Sequence, residues 1–188
     1  IMDSARTIAC GDAEMMIACG VESMSRAPFV VAKADSAFSR KAEMYDTTMG
    51  WRFVNDKLSE KYYPYGMGET AENVARQWNI SRHAQDEFSH ESQEKYANAY
   101  KEGKFTDEIF PVTVQIGKDK FEFDKDEHPR LSGMEKLSSL KPAFIKYGTV
   151  TAGNSSGIND GAAAMLLASE AAVKKYGFGV AVSAALMS

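Results

Sequence analysis

Between Gly148 and Gly161 the chain reads GTVTAGNSSGINDG, and Thr151, Asn154, Ser155 and Ser156 set hydroxyls and an amide along backbone punctuated by four glycines. Short polar side chains on such backbone suit a surface that turns sharply, tolerates positive φ and lets a ligand approach main-chain atoms. This stretch is expected to carry the binding surface, gripping a polar chain without filling its space.

Nucleophilic chemistry is the competing reading. Gly153-Asn154-Ser155-Ser156-Gly157 fits G-x-S-x-G, the serine elbow of α/β hydrolases. An elbow runs straight into a helix, however, and Ile158-Asn159-Asp160-Gly161 is a poor helix start. The three histidines, His83, His90 and His128, all precede the serine, whereas the histidine of that triad follows it. His83 and His90 read as solvated helix residues, and His128, in Asp126-Glu127-His128-Pro129-Arg130, as part of an exposed turn rather than a metal ligand. Cys10 precedes Gly11-Asp12 at the C-terminal end of a helix, where the helix dipole disfavours a thiolate. Cys19 lies in an apolar run and reads as a small buried hydrophobe. No nucleophile, catalytic acid or base, and no metal site can be assigned.

The elements that must position the glycine-rich stretch follow from periodicity. Met2, Ala5, Ile8 and Ala9 share a helical face that stops at Gly11-Asp12, so the chain opens inside a helix. Glu14 to Cys19 is a short continuous apolar run, the pattern of a strand buried on both faces. Arg26 to Tyr65 has no sustained period and predicts loops and short helices. Ala71, Val74, Ala75 and Trp78 then mark one helix face, and Ser81 can cap a second helix carrying Ala84, Phe88, Ser92, Tyr96 and Tyr100. Val112 to Phe123 alternates as a hairpin around Gly117-Lys118-Asp119. Ser132-Gly133-Met134-Glu135 has capping-box spacing before a short helix with Met134, Leu137 and Leu140 on its apolar side. Ala162 to Ala168 reads as a buried strand, Ser169 to Tyr176 as a helix, and Val180 to Leu186 as the start of another strand. The expected class is α/β, divided as a partial core at 1–25, an inserted α+β domain at 26–146, and a return to the core at 147–188.

Composition narrows the function classes. With 22 Lys+Arg against 26 Asp+Glu, a net charge of -4 and no long single-sign block, nothing argues for nucleic acid. The longest apolar run falls far short of the roughly 20 residues of a membrane span, and the N-terminus has no signal pattern. The 2 cysteines give no disulfide framework. A soluble, cytoplasmic protein with no membrane association is expected.

Three stretches, in this order, resemble the thiolase family: Gly20-Val21-Glu22-Ser23-Met24-Ser25-Arg26-Ala27-Pro28, Met67-Gly68-Glu69-Thr70-Ala71-Glu72-Asn73-Val74-Ala75, and Gly148 to Ala164. The resemblance covers essentially the whole chain. It implies a thiolase-like layered α/β core, present in part, with an inserted loop domain that carries the coenzyme A site. It implies an acyl-CoA C-acyltransferase, performing 3-oxoacyl-CoA thiolysis or acetyl-CoA condensation in degradation of the fatty-acid β-oxidation kind, usually as a homodimer or homotetramer. Ala27 to Val31 and Lys33 to Arg40 are similar to thiolases acting on 3-oxoadipyl-CoA.

By the same resemblance, the nucleophilic cysteine is expected just before Ile1, and the second cysteine and the histidine after Ser188. The sequence itself is then expected to have no thiolysis activity and, holding half of a stacked core, to leave an apolar face uncovered. Coenzyme A enters as substrate, with no covalently bound cofactor. Ser156 matches a serine that contacts the pantetheine amide. Ala152, Phe144 and Met67 match positions lining the pantetheine channel, and Leu140 and Arg130 positions near the adenine nucleotide, Arg130 facing its phosphate. Gly66 stands where some thiolases carry histidine. A non-catalytic acyl-CoA-binding module, or an interaction protein using the loop domain for assembly, are the alternative readings.

Overall fold

The computed structural model describes residues 1–34 and 36–179. The chain divides into two compact units, one built from Ile1–Ala27 and the segment from Ile158 onward, the other from Pro28–Gly157.

In the first unit α1 (Met2–Ala9) ends as the glycine signal demands. Gly11 takes φ +80°, and the amides of Gly11 and Asp12 return to the carbonyls of Ile8 and Thr7 at 3.1 and 3.0 Å. β1 (Met15–Glu22) follows and pairs antiparallel with β6 (Gly161–Ala168) across most of the chain, from Met15 opposite Ala168 to Glu22 opposite Gly161. Ser169 then caps α6 (Glu170–Tyr176) by accepting from the Ala172 amide. A second tie holds the far end of the sheet: Asp160 accepts from the Ser25 amide at 2.8 Å and from its hydroxyl at 2.6 Å.

β1 was expected to be buried on both faces and β6 to be a buried strand, and neither is. α1 packs against the pair, and Met16, Ala18 and Leu167, which share one face, are half-covered. On the other face Ile17 is 69%, Val21 80% and Leu166 54% exposed. The strands carry apolar residues on both faces, as the sequence pattern indicated, but the described chain leaves the second face open and covers the first only in part, with Met165 53% exposed. Cys19 lies on the open face and is exposed, which corrects its reading as a buried hydrophobe. The strand expected from Val180 to Leu186 lies outside the described residues.

The second unit opens on β2 (Phe29–Val31) paired antiparallel with β3 (Met44–Asp46), then the four-residue α2 (Asp56–Ser59) capped by Asn55. Regular pairing within this aperiodic stretch was not anticipated, because three-residue strands are too short to show alternation. α3 (Met67–Gln77) and α4 (Arg82–Lys101) follow, and the Ser81 hydroxyl accepts from the Ala84 amide as expected. β4 (Val112–Ile116) and β5 (Asp119–Phe123) form the hairpin, closed by Gly117 at φ +64° and Lys118. α5 (Met134–Ser139) precedes a bridge between Pro142 and Thr151 that draws the glycine-rich stretch alongside residues 142–143.

The helices were located correctly, but of the positions expected on their inner faces only Ala75 is buried. On α3 the buried positions are Gly68, Glu72 and Ala75, while Val74 and Trp78 are 42% and 62% exposed. On α4 the one buried residue is Asp86, and Phe88 is 75% exposed. Each helix turns polar side chains inward, which apolar periodicity cannot detect. The capping box at Ser132 is absent too: α5 starts from Gly133 without a side-chain cap, and the Ser132 carbonyl accepts from His90 Nδ1 at 2.9 Å. His90 is therefore a held, half-buried residue rather than a solvated one.

Candidate functional site

The inward polar faces of α3 and α4 grip the glycine-rich stretch. Glu72, 2% exposed, accepts from the Thr149 and Val150 amides at 2.7 and 2.8 Å and from the Thr149 hydroxyl at 3.0 Å. That carboxylate replaces the water these amides would otherwise bind, so its burial leaves none of its oxygens unmatched. Gly148 is required here, since a Cβ would collide with the Glu72 carboxylate. Gln85 donates to the Thr149 hydroxyl at 3.0 Å, and the Ser89 hydroxyl to the Gly153 carbonyl at 2.5 Å. Asn154 folds back over its own loop, accepting from the Thr151 amide at 2.7 Å and donating to the Thr149 carbonyl at 3.1 Å. Among the described residues no buried side-chain nitrogen or oxygen lacks a partner.

Beside this scaffold opens a cleft of about 230 Å³. One wall is the loop, with Ala152, Gly153 and Ser155. The opposite wall comes from α5 and its exit, with Lys136, Leu137 and Leu140. α4 contributes Ser89, His90 and Gln93, and the segment before α5 contributes His128, Arg130 and Ser132. Gly153 lets the two walls meet, as a Cβ there would lie 2.6 Å from Leu140 Cδ1 and 2.7 Å from Leu137 Cδ2. Gln93 holds the Arg130 segment in place by accepting its amide at 2.9 Å.

The lining contains no carboxylate. Neither Arg130 nor Lys136 forms an ion pair among the described residues, so both cations are available to an anionic ligand. Leu137, Leu140 and Ala152 supply apolar contact next to them. An anionic group bonded to a less polar body is the ligand chemistry this arrangement fits.

Of the residues singled out from the sequence, Arg130, Leu140 and Ala152 line the cleft. Ser156 is exposed just beyond the lining residue Ser155, and among the described residues its hydroxyl makes no hydrogen bond. Phe144 packs its ring on Gly68, where a Cβ would collide with it. Met67 is 83% exposed at the start of α3, and Gly66 caps that helix with its amide donating to Glu69 at 2.8 Å. Lys136, Gln93, His90 and Asp86 were not anticipated. The signal for three of them was the polar stripe Arg82, Asp86, Ser89, His90, Gln93, spaced as one face of α4.

The elbow reading ends here. No helix follows Ser155 before β6, and its hydroxyl donates to the Thr151 carbonyl at 2.7 Å, an ordinary turn contact. Cys10 is exposed at the C-terminal end of α1. Among the described residues no three His, Cys, Asp or Glu gather as metal ligands.

The fold defined by these elements is that of the thiolases: the chain superposes with a TM-score of 0.76 on human mitochondrial 3-ketoacyl-CoA thiolase in complex with CoA, at 35% identity, covering 95% of this chain and 43% of that one. Residues 1–171 match the thiolase N-terminal domain, and the chain belongs to that family. It is 51% identical over 175 residues to beta-ketoadipyl-CoA thiolase of Acinetobacter baylyi, covering 92% of this chain and 44% of the relative. It is 52% identical over 169 residues to 3-oxoadipyl-CoA/3-oxo-5,6-dehydrosuberyl-CoA thiolase of Escherichia coli, covering 89% and 42%. The chain thus spans less than half the length of these relatives.

Proposed function

We propose that these residues form the coenzyme A-binding part of a thiolase-type acyl-CoA C-acyltransferase acting on 3-oxoacyl-CoA thioesters. The observation that carries this is the cleft itself, lined by no carboxylate, with Arg130 and Lys136, which form no ion pair among the described residues, beside apolar walls. Arg130 and Lys136 suit the phosphates of the nucleotide end, and Leu140 its adenine. The pantetheine arm would then run along the loop at Ala152, with the Ser156 hydroxyl meeting an amide of the arm and Phe144 and Met67 giving apolar contact. The similarity to thiolases named for beta-ketoadipyl-CoA favours an acyl group with a distal carboxylate. The thiolate that takes the acyl group, and the histidine and second cysteine that move protons, are assigned to parts of the enzyme outside this sequence.

Full-length enzyme carrying Arg130→Gln tests this reading. Losing a charge-assisted contact to phosphate raises KM for coenzyme A roughly tenfold, from ~1.5 kcal/mol, with a much smaller change in kcat. Ser156→Ala raises it by a smaller factor. Unchanged KM in both variants would remove the cleft from coenzyme A binding. A parent protein with this affinity but no turnover would favour the non-catalytic acyl-CoA-binding module.

A further inference from the structure

Asp86 is 1% exposed in the second turn of α4. It is absent from the cleft lining, yet it reaches both walls. Its Oδ1 accepts from Asn154 Nδ2 at 2.9 Å, and Asn154 in turn holds the loop through the Thr151 amide and the Thr149 carbonyl. Its Oδ2 accepts from Arg82 Nε at 2.7 Å. Arg82 spends the other end of its guanidinium on the opposite wall, where Nη2 donates to the Leu137 carbonyl at 2.6 Å and the Leu140 carbonyl at 3.0 Å. A single carboxylate thus ties Ala152, Gly153 and Ser155 on one side to Leu137 and Leu140 on the other.

From this geometry we infer that Asp86 is a positioning residue that sets the width of the coenzyme A cleft, an inference that rests on the ligand proposed above. The carboxylate suits this task better than a neutral side chain. Each oxygen engages a different donor, one of them a cation whose fork geometry fixes the direction of the wall it holds. Arg82 also occupies the carbonyls left open at the end of α5, which keeps Leu140 at the cleft. Asp86→Asn can still accept from Asn154 with its oxygen, but its amide opposes the Arg82 donor, so the Leu140 wall is released and the loop wall is not. Arg82→Lys keeps a cation for Asp86 and loses the fork that spans two carbonyls.

The test compares kcat/KM for coenzyme A with kcat/KM for N-acetylcysteamine, a short thiol without the nucleotide, in full-length enzyme bearing Asp86→Asn, Arg82→Lys or Arg130→Gln. A residue needed only for stability lowers both values together and leaves their ratio unchanged. For a positioning residue the ratio falls, by roughly tenfold in Asp86→Asn and less in Arg82→Lys. If Arg130→Gln lowers the ratio while Asp86→Asn and Arg82→Lys keep that of the wild type, the cleft binds coenzyme A and the positioning role is wrong. If Arg130→Gln leaves it unchanged, the ligand reading fails and this inference fails with it. Should Asp86→Asn not fold, Arg82→Lys alone decides.

Discussion

At the scale of single residues, two carboxylates of this chain do structural work by accepting backbone and hydroxyl donors. Glu72 gathers two amides and a hydroxyl, Asp160 one amide and one hydroxyl, and Asp160 does so on the surface, where its state can be followed. The Ser25 hydroxyl, and after it the Ser25 amide, hold the Asp160 carboxyl below the usual carboxylate range. A carboxyl whose value is depressed by folding contributes stability that is fully present above its unfolded value of about 3.9 and is lost as pH falls through the lower folded value. Ser25→Ala removes the larger cause and leaves the amide. The expected outcome is an upward move of the Asp160 titration midpoint in carbonyl-detected NMR, with the stability difference between the two proteins constant near neutrality and shrinking below pH ~4. An unmoved midpoint would show that the hydroxyl contact does not persist in solution.

At the scale of elements, the close approach of α3 to residues 142–145 depends on Gly68. A glycine inside a helix costs roughly 1 kcal/mol relative to alanine, so its presence needs a packing reason, and the Phe144 ring provides it. The clash of an added Cβ falls on Phe144 Cγ, the root of the ring, so spinning the ring about its own axis brings no relief. Gly68→Ala is expected to destabilise by about 1–2 kcal/mol in urea unfolding, the overpacking penalty less the gain in helix propensity. In a Phe144→Ala background the same substitution should become stabilising, and failure of that sign reversal would mean the ring is not what Gly68 accommodates. Gly68 also shows what the sequence made legible and what it did not. The helices, the Ser81 cap and the sharp turns of the glycine-rich stretch were readable, because each depends on residues within a turn or two of one another. Apart from Ala75, the inner faces of α3 and α4 were not. They carry Glu72 and Asp86, whose partners stand 77 and 68 positions away at Thr149 and Asn154, and no local pattern reports a polar face satisfied by a distant loop. Arg130, Leu140 and Ala152 reached the cleft through the family resemblance, whereas Lys136, which resembles any surface lysine in sequence, became visible only when α5 was set against the loop.

At the scale of the whole molecule, the two units differ in how they are held. The 28–157 unit is knit by side chains that reach across it, with Glu72, Gln85, Asp86 and Ser89 all engaging the loop. The other rests on one antiparallel strand pair whose members are separated by most of the chain, and both strands of a two-stranded sheet are edges. Its open face presents Ile17 opposite Leu166 and, further along the same face, Val21 opposite Ala162. Apolar surface left in water forgoes about 25 cal/mol per Å², which drives this face toward any other like it. The 188-residue chain produced by itself is therefore expected to bind a hydrophobic dye such as ANS and to self-associate with rising concentration in sedimentation velocity. Ile17→Thr with Val21→Thr keeps β-branched residues in the strand while removing apolar surface, so it should lower both signals and leave the far-UV circular dichroism nearly unchanged. Dye binding that persists in the double variant would place the sticky surface elsewhere. A monodisperse, dye-silent wild-type chain would mean that the sheet face is covered in solution by this chain itself.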